Sequence, residues 1–251
     1  YMSDILNKLT KQITENQILP ADQMTAGFDE MMEGKASPVQ MAAFLIALKM
    51  RGEAPSDIAA GAGSLRRHAL TLDAPDNAMD IVGTGGDGIG TYNISTATAL
   101  VLAGAGIPIA KHGNKAVSSK SGAADVLTAL GINLDCSEEA LSEALTAAKI
   151  VFLMAPRHHS AMRHVGPIRA ELGVRTIFNL LGPLSNPALV QRILVGVFDA
   201  RWLQPFAEAL RTLGTTDAFI VHGADGLDEL STTGSNQITM LKDGQISETT
   251  L

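Results

Sequence analysis

Apolar residues recur at helical spacing through the first part of the chain. Ile5, Leu6, Leu9 and Ile13 fall three and four apart within 3–13, the period of one helix face. Three more such stretches follow. Residues 20–32 open with Pro20 and an acidic first turn, 37–50 start Ser37-Pro38 and carry Met41, Phe44, Leu45 and Leu48, and 55–69 close the set. Gly34, the Arg51-Gly52 pair and Pro55 are the breaks between them. This pattern predicts a small α-helical domain over residues 1–72, open to completion by a later helix.

From Asp80 the texture changes to short apolar runs alternating with longer amphipathic ones. Strands are predicted at 80–82, 108–110, 150–154, 190–197 and 218–222, with helices at 95–105, 122–130, 137–147, 158–172 and 201–213. Strand and helix in alternation predict an α/β domain over 73–251 with a mostly parallel sheet and crossover helices on its faces. Residues 237–241 and 245–249 flank Lys242-Asp243-Gly244, a hairpin with an Asp-Gly turn. A closing hairpin leaves a sheet edge open, so a domain truncated at its C-terminus is expected.

Composition narrows the class. With 46% hydrophobic residues in 251, the chain can bury a substantial core. Aromatics are only 4%, and the apolar mass of Ala, Leu, Ile, Val and Met suits helices on a parallel sheet better than a β-sandwich. A net charge of −7 argues against non-specific nucleic-acid binding. The single Cys136 excludes an intrachain disulfide and agrees with a reducing compartment. No secretory signal pattern opens the chain, and the longest apolar run, 97–110, is too short and too interrupted by Gly and Pro for a membrane span. A cytoplasmic protein with no membrane partner is expected.

Four stretches carry candidate chemistry. The first, 80–96, reads as a strand end, a loop with five glycines between Gly83 and Gly90, and a helix start with Asn93, Ser95 and Thr96 as N-cap candidates. Such a loop can aim several N–H groups at one anion. Gly83, Gly85 and Gly88 also spell a dinucleotide pattern. In that fold, however, the helix opens within the glycines and an acid follows about 20 residues on. Here the corresponding strand end leads into Lys111-His112-Gly113-Asn114. A Walker A loop fails for want of a closing Gly-Lys-Ser/Thr.

The second stretch, 111–119, is expected as a loop beyond the second strand, where Lys111, Lys115, Ser118 and Ser119 can meet a polyphosphate; a solvated basic turn is the alternative. The third is Asp225-Gly226-Leu227-Asp228-Glu229, whose adjacent carboxylates suit Mg²⁺ or form a solvated acidic turn. The fourth is the 158–172 helix. Its three histidines lack partners at zinc spacing, whereas Arg169, on about the face of Met162, can grip a carboxylate with its planar fork or form a surface ion pair. Residues 179–187 are expected as an apolar loop with two X-Pro kinks.

Taken together these motifs closely resemble the anthranilate phosphoribosyltransferase family. Residues 83–88, 93–96, 111–114, 124–127, 175–184 and 228–229 carry the resemblance, in the family's order over almost the whole chain. The resemblance implies a homodimer formed through the helical domain, each protomer holding its site in the cleft between its two domains. It implies Mg²⁺-dependent transfer of the phosphoribosyl group of 5-phosphoribosyl 1-pyrophosphate to anthranilate. It also implies that Gly83, Gly86, Asp87, Thr91, Asn93, Ile94, Ser95, Thr96 and Ala123 hold the donor, while Lys111, Ser118 and Ser119 attend its pyrophosphate. Gly83, His112, Asn114 and Arg169 would meet anthranilate, and Ser95, Asp228 and Glu229 the metal.

Three positions depart from the family: Lys115 replaces a usual Arg, Ala123 a frequent Ser and Ser160 a usual Pro. Family members also run well beyond the terminal hairpin, so this form is expected to be poorly active or unstable by itself. The nearest rival is a pyrimidine nucleoside phosphorylase, which resembles the same fold; 111–114 and Arg169 favour anthranilate. A nucleic-acid-binding offshoot of the family would need a basic groove, and the charge speaks against it.

Overall fold

The computed structural model describes residues 3–86, 88–115 and 122–251. In chain order its elements are α1 (Asp4–Thr14), α2 (Ala21–Met32), α3 (Pro38–Arg51), α4 (Pro55–Arg67), β1 (Met79–Gly83), α5 (Ile94–Gly104), β2 (Ile109–Gly113), α6 (Ala123–Ala129), α7 (Glu138–Ala148) and β3 (Ile150–Met154). There follow α8 (Ala155–His158), α9 (Gly166–Leu172), α10 (Phe178–Leu181), β4 (Arg192–Gly196), α11 (Leu203–Thr212), β5 (Asp217–His222), β6 (Gln237–Lys242) and β7 (Gln245–Thr250). The chain divides into two compact units, Tyr1–Leu70 with His159–Ser185, and Thr71–His158 with Asn186–Leu251.

The first unit is helical. Leu6, Leu9 and Ile13 of α1 are buried, as their spacing requires, and so are Phe28 and Phe44. Phe28 meets Phe44 and Phe178 edge-on, with ring centroids 5.8 and 6.2 Å apart, the arrangement aromatic quadrupoles favour. Ser37 caps α3 and Pro38 occupies its first turn, where a missing N–H costs nothing. The capping partner Gln40 also bonds both backbone groups of Ser3, joining the start of α1 to the start of α3.

Two expectations are corrected in this region. The helix expected over 158–172 is broken into α8, a 3-10 turn at Ser160–Arg163, and α9. Pro167 in the first turn of α9 lacks the N–H that a continuous helix would use, so a new helix starts there. Met162 and Arg169 therefore share no helix face. The expected loop over 179–187 instead starts with α10 and a 3-10 turn at Gly182–Leu184, and its Leu180, Leu181 and Leu184 are buried.

The second unit is built on a sheet whose order, among the described residues, is β3-β2-β1-β4-β5-β6-β7. The first five in that order are parallel; β6 and β7 are antiparallel. The fold is thus the expected α/β type, mostly parallel. Ile81 and Ile109 pack with Ala99 and Ala103 of α5, while Leu141 and Leu145 of α7 pack on Val151 and Leu153. Asp243 and Gly244 both take positive φ, 49° and 78°, as the two-residue turn joining β6 and β7 demands.

Candidate active site

From β1 the chain adds β2 and β3 on one side of the sheet, then β4 and β5 on the other. Such a reversal opens a crevice beyond the carboxyl ends of the two central strands, because their connections leave in opposite directions. Gly83 ends β1, Gly196 ends β4, and the two are register partners.

The glycine loop starts at this point. Thr84 donates its N–H to the Gly196 carbonyl (2.9 Å), and its hydroxyl accepts from the Phe198 N–H (3.0 Å). Gly85, Gly86, Gly88 and Gly90 all have positive φ, between 68° and 76°, which a Cβ would strain. Thr91 is exposed, and Asn93 Oδ1 accepts from the Thr96 N–H (3.3 Å), capping α5. Ile94 and Ser95 form the first turn of α5, and Thr96 is buried within it. Asp87, Ser118 and Ser119 lie outside the described residues.

The 111–114 stretch was expected beyond its strand; instead Lys111, His112 and Gly113 belong to β2, with Asn114 just past its end. The lysine is 2% exposed, and its ammonium donates to the Ile81 carbonyl (2.5 Å) and to Ser95 Oγ (3.2 Å). Burial lowers its pKa, while the charges of Asp80 and Glu229 act the other way. A side chain that bridges β1 and α5 beside two carboxylates is not a solvated basic turn. Asn114 is exposed, and its carbonyl accepts from the Ala124 N–H (3.2 Å), so the end of β2 meets the start of α6. Ala123 lies beside Gly113 there, where an added Cβ would come within 3.4 Å of its methyl group.

On the neighbouring strand β1 lies Asp80, fully buried, whose charge acts on the lysine. Its Oδ1 accepts from the N–H groups of Ile81 (2.8 Å) and His112 (3.2 Å), and its Oδ2 from Asn186 Nδ2 (2.7 Å). The same Asn186 nitrogen donates to the Ala110 carbonyl (2.7 Å). Burial pushes the Asp80 carboxyl up to about 6, against the pull of Lys111 and these hydrogen bonds.

The acidic pair follows β5. Asp225, at φ 61°, and Gly226, at φ 85°, turn the chain, and the Gly223 N–H closes the turn on the Leu227 carbonyl (2.8 Å). Asp228 is buried rather than solvated, and its Oδ2 accepts from the Gly85 N–H (2.6 Å). Asn236 steadies the following segment, accepting from the Ser231 N–H (2.7 Å) and donating to its carbonyl (3.0 Å).

The second unit therefore joins Lys111 to Ser95 and Asp228 to the glycine loop through direct contacts, and Glu229 to Lys111 through its charge. Arg169 belongs to the first unit, in α9, where burial lowers its pKa and its guanidinium lies 5.5 Å from the Phe178 ring centre. The sequence reading missed Asp80, Asn186 and Gly196. An aspartate inside the apolar run Met79-Asp80-Ile81-Val82 was the one available signal.

Among the described residues no group of three or more His, Cys, Asp or Glu side chains can hold a metal ion. The oxygen donors expected for a metal are the two carboxylates of Asp228 and Glu229, which are adjacent in sequence, and the Ser95 hydroxyl. That set is too small for a cation held by protein alone. It fits a hard cation such as Mg²⁺, which keeps waters and shares its shell with ligand phosphates.

A helical bundle joined to an α/β unit with a strand-end site is the architecture of one glycosyl transferase class. Residues 3–69 match the helical bundle domain of that glycosyl transferase family, and 75–251 match its a/b domain. Anthranilate phosphoribosyltransferase of Parvibaculum lavamentivorans is 55% identical over 94% of this chain and 69% of the relative. That of Rhizobium etli is 54% identical over 98% of this chain and 72% of the relative. Among solved structures, anthranilate phosphoribosyltransferase from Thermus thermophilus aligns with a TM-score of 0.90 and 45% identity, covering 97% of this chain and 72% of that one. The Saccharomyces cerevisiae enzyme in complex with PRPP and Mg aligns with a TM-score of 0.88 and 31% identity, over 99% and 73%. The chain belongs to the anthranilate phosphoribosyltransferase family, a family of glycosyltransferase enzymes.

Proposed function

We propose that the protein carries out the phosphoribosyl transfer of tryptophan biosynthesis. It moves the phosphoribosyl group of 5-phosphoribosyl 1-pyrophosphate to the amine of anthranilate, giving N-(5-phosphoribosyl)anthranilate and pyrophosphate. The observation that carries this reading is the meeting of the glycine loop and the acidic pair at the sheet's reversal point, with the Lys111 ammonium beside them. Donors for phosphate, a cation and two carboxylates in one crevice suit a diphosphate leaving group.

The residue roles follow from charge. Displacing pyrophosphate from the anomeric carbon builds positive charge on the ribose and negative charge on the leaving group, so positioning and electrostatic stabilisation supply the catalysis. Gly83, Gly86, Asp87, Thr91, Asn93, Ile94, Ser95, Thr96 and Ala123 hold the donor, and Lys111, with Ser118 and Ser119, attends its pyrophosphate. Ser95, Asp228 and Glu229 would hold Mg²⁺, which when bound neutralises the leaving pyrophosphate. Gly83, His112, Asn114 and Arg169 receive anthranilate, Arg169 gripping the carboxylate. No strong general base is needed, because the aniline nitrogen can attack before it loses its proton.

A homodimer through the helical unit is part of the same reading. It is supported by an apolar groove along α1 and α3, where Val39 and Met50 are 78% and 80% exposed. A cytoplasmic site of action agrees with the reaction. Among the described residues no helix is long and apolar enough to cross a membrane.

Pyrophosphate release, followed while anthranilate is varied, tests both the reaction and the carboxylate grip. Release should require anthranilate, and Arg169→Ala should raise the anthranilate KM by about tenfold or more while moving the donor KM little, since a charge-assisted contact is lost. Release without anthranilate would refute the reaction; equal effects on both KM values would refute the grip.

A further inference from the structure

Three glycines beside the acidic pair are not called for by backbone conformation. Gly83, Gly196 and Gly223 all lie outside the positive-φ region, in which many of the chain's glycines sit. What they exclude is a side chain. A Cβ on Gly196 would lie 1.5 Å from the backbone oxygen of Asp228 and 2.4 Å from its carbonyl carbon. One on Gly223 would lie 2.2 Å from the backbone oxygen of Glu229, and one on Gly83 would lie 2.6 Å from Asp228 Oδ2. The first two are collisions with main chain, which no change of rotamer relieves. The three positions are also neighbours. Gly83 pairs with Gly196, Gly196 pairs with Val221, and Gly223 follows β5 directly, so the bare patch runs across the ends of β1, β4 and β5.

We propose that Gly196 and Gly223, with Gly83, are positioning residues forming a slot for the Asp228-Glu229 backbone, and that Asp228, so seated, latches the glycine loop through the Gly85 N–H. A carboxylate offers about four lone-pair sites, so Asp228 can accept from Gly85 and still face a cation. The acidic pair and the loop are then coupled, so that a ligand bound at one and a ligand bound at the other change each other's affinity by the same factor. The latch itself stands on geometry alone; its consequence for catalysis rests on the donor and cation roles proposed above.

Hydrogen exchange of the Gly85 amide, resolved by NMR in the ligand-free protein, tests the latch without turnover. Asp228→Ala should speed that exchange about tenfold or more, as expected for loss of a charge-assisted bond. Asp228→Asn, which keeps an acceptor oxygen, should stay near the parent. Gly196→Ala should speed it like Asp228→Ala and weaken calorimetric binding of magnesium pyrophosphate about tenfold. Gly104→Ala, at a helix position where an added Cβ has nothing within 4 Å, should change neither. Unchanged Gly85 exchange in Asp228→Ala overturns the latch, and that variant leaves the main chain intact even if Gly196→Ala fails to fold. Unchanged exchange and magnesium pyrophosphate affinity in a folded Gly196→Ala protein overturns the slot. Failure of the reaction reading would look different: the parent would not bind 5-phosphoribosyl 1-pyrophosphate, while the exchange pattern held.

Discussion

Asp80 shows how a residue without an obvious role can organise a site. A carboxylate buried in a central strand is costly unless its oxygens are satisfied, and Asp80 accepts from Ile81, His112 and Asn186. These bonds tie β1 to β2, the neighbouring strand that carries Lys111, and to the segment before β4. Its carboxyl titrates near 6, above the ordinary value of 3.8 in the unfolded chain, because burial disfavours the charge. The folded state therefore binds this proton more tightly, so the contribution of Asp80 to stability is fullest below about pH 4 and is lost as pH rises through about 6. In denaturant melts between pH 4 and 7 the stability of the parent should fall relative to that of Asp80→Asn, by the contribution Asp80 loses as it ionises. Equal slopes would place the Asp80 pKa near its ordinary value. The sequence showed the aspartate but not its purpose, since its partners come from β2 and from Asn186, far along the chain.

At the scale of elements, what was legible was what local chemistry decides. The four N-terminal helices, the β6–β7 turn and the 150–154 strand all follow from periodicity, caps and an Asp-Gly pair. Lys111 was misread because a lysine inside a strand looks like a strand end unless its buried partners are known. The break in 158–172 is written in Gly166-Pro167, inside a longer pattern that is helical on either side. Gly196, flanked by Val195 and Val197, gave no local signal; the main chain it makes room for arrives only after β5. Caps also set energies here. Gln40 accepts from the Ser3 and Ser37 N–H groups and donates to the Ser3 carbonyl, in a largely buried setting. Gln40→Ala should cost about 2 kcal/mol, more than the ~1 kcal/mol of Ser37→Ala, which removes one cap bond. Urea melts of the two variants check the order, and a Gln40→Ala loss no larger than that of Ser37→Ala would assign Gln40 to the cap alone.

For the whole molecule, the parallel sheet decides where chemistry can sit, and the helical unit carries the surface proposed for self-association. Strand order put the glycine loop, Lys111 and the acidic pair at one crevice, a non-local result that motif spacing could only suggest. The exposed Val39 and Met50 mark the surface proposed for self-association. Replacing both with Glu should convert a dimer to a monomer in sedimentation at micromolar concentration, with helicity retained; an unchanged mass would move the interface elsewhere. The transfer reaction is read most directly from the fluorescence of anthranilate mixed with the protein, 5-phosphoribosyl 1-pyrophosphate and Mg²⁺. The expected result is a progressive loss that stops when the donor or Mg²⁺ is withheld; constant fluorescence with all three present and the protein folded would contradict it.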